Sequence, residues 1–206
     1  MNTTYFITGI GTNVGKTIVS AIFTEALMAD YWKPVQAGDL ENSDTMKVRK
    51  LVSNTKTVFH AEGISLTQPM SPHAAAAIDG IKISAKKILR AQTTNDLVIE
   101  GAGGLLVPLN HKETIADLIL PGDRIILVSR HYLGSINHTL LSLQFLKSRG
   151  LKCFGIIFNG EKNEASEEVI LKMSGAKYLG RIEDEPYFDH NVVKEYAETF
   201  RSNLQK

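Results

Sequence analysis

Ten residues near the start of the chain limit its fold more than any other stretch: Thr8-Gly9-Ile10-Gly11-Thr12-Asn13-Val14-Gly15-Lys16-Thr17. A phosphate-binding loop normally reads glycine, four residues, then Gly-Lys-Ser/Thr. Gly15-Lys16-Thr17 closes that pattern, but Ile10 stands where the leading glycine belongs, with glycines at 9 and 11 instead. The loop is one residue longer than usual, yet it meets the physical requirements. Tyr5–Thr8 predicts a strand before it, and Ile18, Ile22, Phe23 and Leu27 share one face of a helix predicted over Lys16–Asp30. Glycines let the backbone aim its N–H groups at phosphate oxygens, and the helix N-terminus adds partial positive charge. Lys16 can reach the outer phosphates, and Thr17 offers a hydroxyl to Mg2+.

The remaining pattern supplies a sheet for this loop. Leu97–Ile99, Ile125–Val128 and Cys153–Phe158 are apolar runs with little alternation, as expected of strands covered on both faces. Helices are predicted over Ser84–Gln92, Ser135–Arg149, Glu164–Met173 and Asn191–Leu204, with Ser84 and Ser135 as N-caps and Gly150 as a stop. The alternation gives an α/β fold: a P-loop NTPase-like, doubly wound, mostly parallel sheet flanked by helices, expected as one domain over 1–206. Residues 57–81, with Gly63, Pro69, Pro72 and Gly80, read as a long loop with short helical pieces. A net charge of +1 offers no bulk attraction to nucleic acid or anionic membrane, and no apolar run approaches a membrane span. A single cysteine, Cys153, and the lack of a signal-peptide order at the start suit a cytoplasmic setting.

Three more stretches carry candidate chemistry. Trp32-Lys33-Pro34-Val35 puts a lysine before a proline, which forces an extended backbone, so Lys33 would project from the end of the second strand beside the phosphate loop. Asp44 precedes the helical stretch Thr45–Leu51. It is either an N-cap or an acid facing Mg2+. In Ile99-Glu100-Gly101-Ala102-Gly103-Gly104 a buried strand ends on Glu100, a carboxylate positioned for Mg2+ with Thr17, and a glycine-rich loop follows that can approach a ligand closely.

In this order, these stretches resemble the dethiobiotin synthetase family. Its phosphate loop has the longer spacing T-G-x-x-T-x-V-G-K-T, followed by K-P-V, S-D, S-P-H, E-G-A-G-G and L-G-x-I-N-H. The chain matches these with Lys33-Pro34-Val35, Ser43-Asp44, Ser71-Pro72-His73, Glu100–Gly104 and Leu133–His138. The resemblance implies ATP-dependent closure of a cyclic urea from 7,8-diaminononanoate and CO2 or bicarbonate, through a carbamate and its mixed anhydride with phosphate, with Mg2+ as cofactor. It implies a nucleotide seat at Asn13, Val14, Gly15, Lys16, Thr17, Ile18, Asp44, Glu100, Gly101, Ala102 and Gly103, with Asn159 and Gly160 at the adenine. Thr17, Asp44 and Glu100 would be the Mg2+ ligands, and Lys33, Lys16 and Thr12 the catalytic groups. Thr12, Lys33, Ala37, Ser71, Pro72 and His73 would face the diamine. Ser135 and Asn137 of a partner subunit would seat the substrate carboxylate in a homodimer. The chain departs from the family at Ala37, where a hydroxyl residue is common, at Asn13, and at Glu183, which stands where a proline usually follows G-x-I.

Two other functions share the loop style. Amide-forming synthases of the cobyrinate type usually carry an added glutaminase domain, for which 206 residues leave no room. Partitioning ATPases, which act as nucleotide-switched binding modules, have a second lysine early in the loop, whereas Lys16 is the only lysine in this one.

Overall fold

The computed structural model describes residues 2–204. In chain order the elements are β1 (Thr4–Gly9), α1 (Lys16–Leu27), β2 (Asp30–Trp32), β3 (Val35–Ala37), α2 (Asp44–Leu51), β4 (Ile64–Leu66) and α3 (Pro72–Ile78). There follow β5 (Leu97–Gly104), β6 (Arg124–Arg130), α4 (Ser135–Ser148), β7 (Cys153–Asn159), α5 (Glu164–Ser174), β8 (Tyr178–Ile182) and α6 (His190–Leu204). Six parallel strands form the main sheet in the order β2-β5-β1-β6-β7-β8, and β3 pairs with β4 in a small parallel ribbon. The doubly wound parallel sheet expected from the sequence is therefore present.

The apolar strand runs are explained by burial on both faces. Successive side chains of β1 point opposite ways. Ile7 joins Ile22 and Phe23 of α1, Val48 of α2 and Phe200 of α6, while Phe6 packs on the other face with Ile99, Ile115 and Leu146. Farther along that second face, Leu127 and Phe158 meet Ile170 of α5. Strand order reverses direction at β1, so the loops leaving the carboxyl ends of β1, β2 and β5 open onto one crevice.

Several boundaries differ from the sequence reading. The first helix stops at Leu27, because Met28 turns left-handed at φ 52° and the chain enters β2 at Asp30. No α-helix forms over Ser84–Gln92, where a single 3-10 turn spans Ala85–Lys87. Its buried anchors Ile83 and Ile88 lie five residues apart and do not share a helix face, and Arg90 leaves the turn to grip Asp123 with both guanidinium nitrogens at 2.7 and 2.8 Å. Ser135 is the first helical residue of α4, and Gly134, at φ 100°, is its cap. Strand β5 runs on through Gly104, so the glycines after Glu100 are strand residues rather than a loop. Gly104 pairs with Gly9, and a Cβ on it would meet the Gly9 carbonyl oxygen at 3.2 Å.

A buried carboxylate ties α1 to the segment after α2. Glu25 accepts bonds from the Ser53 N–H and hydroxyl at 2.8 and 2.9 Å, and from the Asn54 N–H and amide at 3.0 and 3.2 Å. Burial pushes its pKa up, but the bonds from Asn54 and Ser53 outweigh that and bring it below the ordinary 4.5. A depressed carboxylate pKa contributes stability that is present above the unfolded value and lost as pH falls through the folded one. Glu25→Gln is expected to cost about 1–3 kcal/mol at pH 7. It should also shrink the loss of stability between pH 7 and pH 4, as measured by urea unfolding at the two values.

Candidate active site

The shape of the phosphate loop explains its displaced glycines. Asn13 and Gly15 are left-handed at φ 57° and 99°. A Cβ on Gly9 would lie 2.5 Å from Val14 Cγ2, and one on Gly15 would lie 2.3 Å from Asn159 Nδ2. Steric demand thus falls at 9 and 15, and Ile10 is free to carry a side chain that packs beside the core. The loop is tied down from both sides, by Ile10 N–H to the Val128 carbonyl at 3.1 Å and by the Asn159 amide to the Val14 carbonyl at 2.9 Å. Lys16 folds back to donate to the Gly11 carbonyl at 2.8 Å. Burial, and then the charge of Lys33, lower its pKa to about 8.

Lys33 lies just past β2, opposite Glu100. The register pairs Tyr31 with Val98 and Trp32 with Ile99, so the period of two puts Tyr31, Lys33 and Glu100 on one face, under the first turn of α1. Lys33 Nζ is 2.9 Å from Glu100 Oε1, 2.7 Å from Asp44 Oδ2 and 3.2 Å from the Gly101 carbonyl. The Thr17 hydroxyl donates to Glu100 Oε1 at 3.0 Å, and the Tyr31 hydroxyl to Oε2 at 2.9 Å. Burial would lower the Lys33 pKa, but the charges of Glu100 and Asp44 hold it above its ordinary value. Burial raises the Asp44 pKa, and the Lys33 charge brings it below its ordinary value. Tyr31 is held well above the phenolic range by burial and by the Glu100 charge. Ser43 rather than Asp44 caps α2, accepting from Met46 N–H at 3.4 Å, which leaves the Asp44 carboxylate free to face Lys33.

Lys33, Glu100, Asp44 and Thr17 line a cavity of about 750 Å3. Among the residues expected from the sequence, it is lined by Thr12, Asn13, Gly15, Lys16, Thr17 and Ile18 of the loop and helix, and by Lys33, Ala37 and Asp44. Ser71, Pro72, Ala102, Gly103, Glu100 and Asn159 complete that set. Val14 and Gly101 do not line it, and their carbonyls accept from the Asn159 amide and from Lys33. Gly160 stands behind the wall, its N–H bonded to the Ile182 carbonyl at 2.8 Å. His73 is exposed and does not line the cavity. Ser135 and Asn137 are also outside it, on the α4 face. Gln36, Lys47, Arg130 and Glu185 line it without having been expected. Gln36 was legible as the residue after Lys33-Pro34-Val35, and it accepts from Asp44 N–H at 3.2 Å. Tyr31, two residues before Lys33, joins the site through the β2–β5 register, which no local signal gives.

Comparison with known proteins identifies the family. A model described as an AAA domain matches residues 3–191. The chain is 66% identical to the ATP-dependent dethiobiotin synthetase BioD of Christiangramia forsetii, over 99% of each chain. It is 52% identical to that of Cytophaga hutchinsonii, over 94% of each. The chain belongs to the dethiobiotin synthetase family. Its fold is also that of distant ATPases. The cell division ATPase MinD of Pyrococcus furiosus superposes with a TM-score of 0.66 at 14% identity, over all of both chains. MinD of Pyrococcus horikoshii, solved with Mg-ADP, gives 0.60 at 15% identity, covering 97% of this chain and 89% of that one. Likeness at that identity concerns the fold alone. The geometry of the long-spaced loop makes a direct prediction. Gly15→Ala places a methyl group against Asn159 at a left-handed φ. It should raise the Kd for ATP at least about tenfold (~1.4 kcal/mol), as read by titration calorimetry.

Proposed function

We propose that the chain joins CO2 to 7,8-diaminononanoate at the expense of ATP and closes the urea ring of dethiobiotin, as an ATP-dependent cyclo-ligase of biotin biosynthesis. The single observation that carries this reading is the placement of Lys33. It is a buried ammonium fixed between Glu100 and Asp44 in the cavity that the phosphate loop also lines.

An amine of the substrate takes up CO2 as a carbamate. A carbamate oxygen attacks the γ-phosphate of ATP, ADP leaves, and the neighbouring amine then attacks the carbonyl carbon and expels phosphate. Transfer of this kind needs positioning and charge neutralisation more than covalent help from the protein. Lys16 swings from the Gly11 carbonyl to the outer phosphates. Lys33 stabilises charge on the carbamate and on the migrating phosphoryl group. Thr12, with Ala37, Ser71 and Pro72 at the wall, faces the diamine, and His73 lies beyond that wall. Asn159, its amide nitrogen spent on Val14, turns its oxygen toward the exocyclic amine of adenine.

Thr17, Asp44 and Glu100 are the Mg2+ ligands of this reading. The donors fit: they are three hard oxygens, and among the described residues no cluster of three or more His, Cys, Asp or Glu forms an all-protein cage. Mg2+ suits such a site because it keeps water and phosphate oxygens in its shell, and when bound it neutralises the phosphates. No helix among the described residues is long and apolar enough to cross a membrane. We place the enzyme in the cytoplasm, the whole chain working as one domain.

The proposal includes a homodimer. Ser135 and Asn137 lie in the first turn of α4, where the Ser135 N–H bonds the Tyr132 carbonyl at 2.9 Å and the next two N–H groups, of Ile136 and Asn137, would seat the substrate carboxylate, yet neither Ser135 nor Asn137 lines the Lys33 cavity of its own chain. Tyr132, Leu133 and Leu141 are exposed around that helix start, as an apolar face awaiting a second copy would be.

Release of ADP that requires both diaminononanoate and bicarbonate separates this reading from a partitioning ATPase, which would hydrolyse ATP without either. Lys33→Ala is expected to leave ATP binding near normal while lowering turnover by at least ~10²-fold. It should also destabilise the nucleotide-free protein by about 3 kcal/mol, because the buried Glu100 carboxylate loses its ammonium partner. Turnover near that of the parent would remove Lys33 from catalysis. For the dimer, inactive Lys33→Ala is mixed with weakened Asn137→Ala and the subunits are allowed to exchange. One site of each heterodimer carries both lesions and the other carries none, so activity should partly return. No recovery after proven exchange would place the carboxylate seat within one chain.

A further inference from the structure

Tyr31 takes no part in the chemistry above, yet it is the largest fully buried side chain of the fold, and its one polar atom is aimed at the site. Its ring is tilted against Phe59 at 6.1 Å between centroids. Its hydroxyl donates to Glu100 Oε2 at 2.9 Å, while Oε1 takes Thr17 and Lys33. The two oxygens therefore have separate partners, one set facing the phosphate loop and one set inside the core. The terminal torsion of a glutamate is broad and roughly twofold, so it needs an external contact to fix it. The strand register supplies that contact, because Tyr31 faces Val98, two residues before Glu100 and on the same side of the sheet.

We propose that Tyr31 is a positioning residue that clamps Glu100 Oε2, so that the carboxylate meets Mg2+ in one fixed orientation through its other oxygen. This rests on the reading of Glu100 as a metal ligand. A phenylalanine would fill the same space. A hydroxyl at a fully buried position needs a partner, and Glu100 is the one Tyr31 has.

The test is the Mg2+ concentration for half-maximal ADP binding, without diamine or bicarbonate. Binding is followed by the fluorescence of Trp32, the only tryptophan, which adjoins Lys33. Tyr31→Phe should raise that midpoint about tenfold, the lower end for loss of a group that orients a metal ligand. Tyr5→Phe removes another buried hydroxyl, bonded to Arg124 at 3.0 Å at the far end of the sheet, and should leave the midpoint unchanged. Glu100→Gln separates the two claims. If it leaves the midpoint unchanged, the metal reading of Glu100 fails and the role of Tyr31 falls with it. If it raises the midpoint while Tyr31→Phe matches the parent, the metal reading stands and the clamp is overturned. Adding Tyr31→Phe to Glu100→Gln should change nothing further, and a full additional rise would show that Tyr31 acts by another route, also overturning the clamp. Should Tyr31→Phe fail to fold, carbon-13 at tyrosine Cζ in the unmutated protein gives the same reading, with the other five tyrosines assigned by substitution. The Tyr31 signal should move when Mg2+ is added to the ADP-bound protein, and a signal that stays fixed overturns the proposal.

Discussion

The Lys33 ammonium is out of water and held between two carboxylates, at 2.7 Å from Asp44 and 2.9 Å from Glu100. Moving any one of these charges into the interior costs several kcal/mol, and only close pairing offsets it. Lys33 lies just past β2 and Glu100 in its paired strand β5, and Asp44 reaches them from the first turn of α2. The ion pair to Asp44 therefore fixes how α2 meets that strand pair. Pro34 follows Lys33 just past the end of β2 and holds its backbone extended, and the Gly101 carbonyl at 3.2 Å gives the ammonium a third contact. Lys16 feels the result. Burial, and after it the Lys33 charge, bring its pKa down to about 8, and a second positive charge there is best compensated by a bound polyanion.

The loop geometry and this cluster are coupled through the sheet. Thr17 is the second residue of α1 and bonds Glu100, so the helix that presents backbone N–H groups to phosphate is registered against the strand that carries the acid. Glycines make the close approach workable. Gly9 lies against Gly104 in the neighbouring strand, where a Cβ would be blocked by Val14 at Gly9 and would press on the Gly9 carbonyl oxygen at Gly104. The run of glycines after Glu100 thus serves strand pairing beneath the loop as well as access to a ligand.

Much of this was legible because the signals were local. A strand, a glycine-rich turn and an amphipathic helix are written in consecutive residues, and Lys33-Pro34 states its own backbone conformation. Glu100 was found because a carboxylate at the end of an apolar run is costly without a partner. What escaped notice depended on contacts across the sheet. Tyr31 reads as one more core aromatic until the β2–β5 register sets it beside Glu100. The Asn159 tie to Val14 joins residues 145 apart in sequence. The helix expected over Ser84–Gln92 failed for the same reason: Arg90 is claimed by Asp123, and Ile83 and Ile88 are buried by tertiary packing, so local propensity was overruled. Asp44 remained ambiguous between cap and ligand because Ser43, one residue earlier, can also cap, and only geometry assigns that role to it.

The shared fold with MinD sharpens what distinguishes this chain. A parallel sheet with a phosphate loop at its reversal point binds a nucleotide in either case, so the scaffold does not choose between a switch and a synthetase. The position of the second cation bears on that choice. Here the loop contains one lysine, and the other positive charge reaches the cavity from β2 of the same chain, already paired and buried before any ligand arrives. A cation fixed in that way needs no partner to complete it and cannot report whether one is present, which suits steady turnover of a small substrate better than switching. A cavity that continues past Lys33 to Ala37, Ser71 and Pro72 leaves room beyond the phosphates for such a substrate.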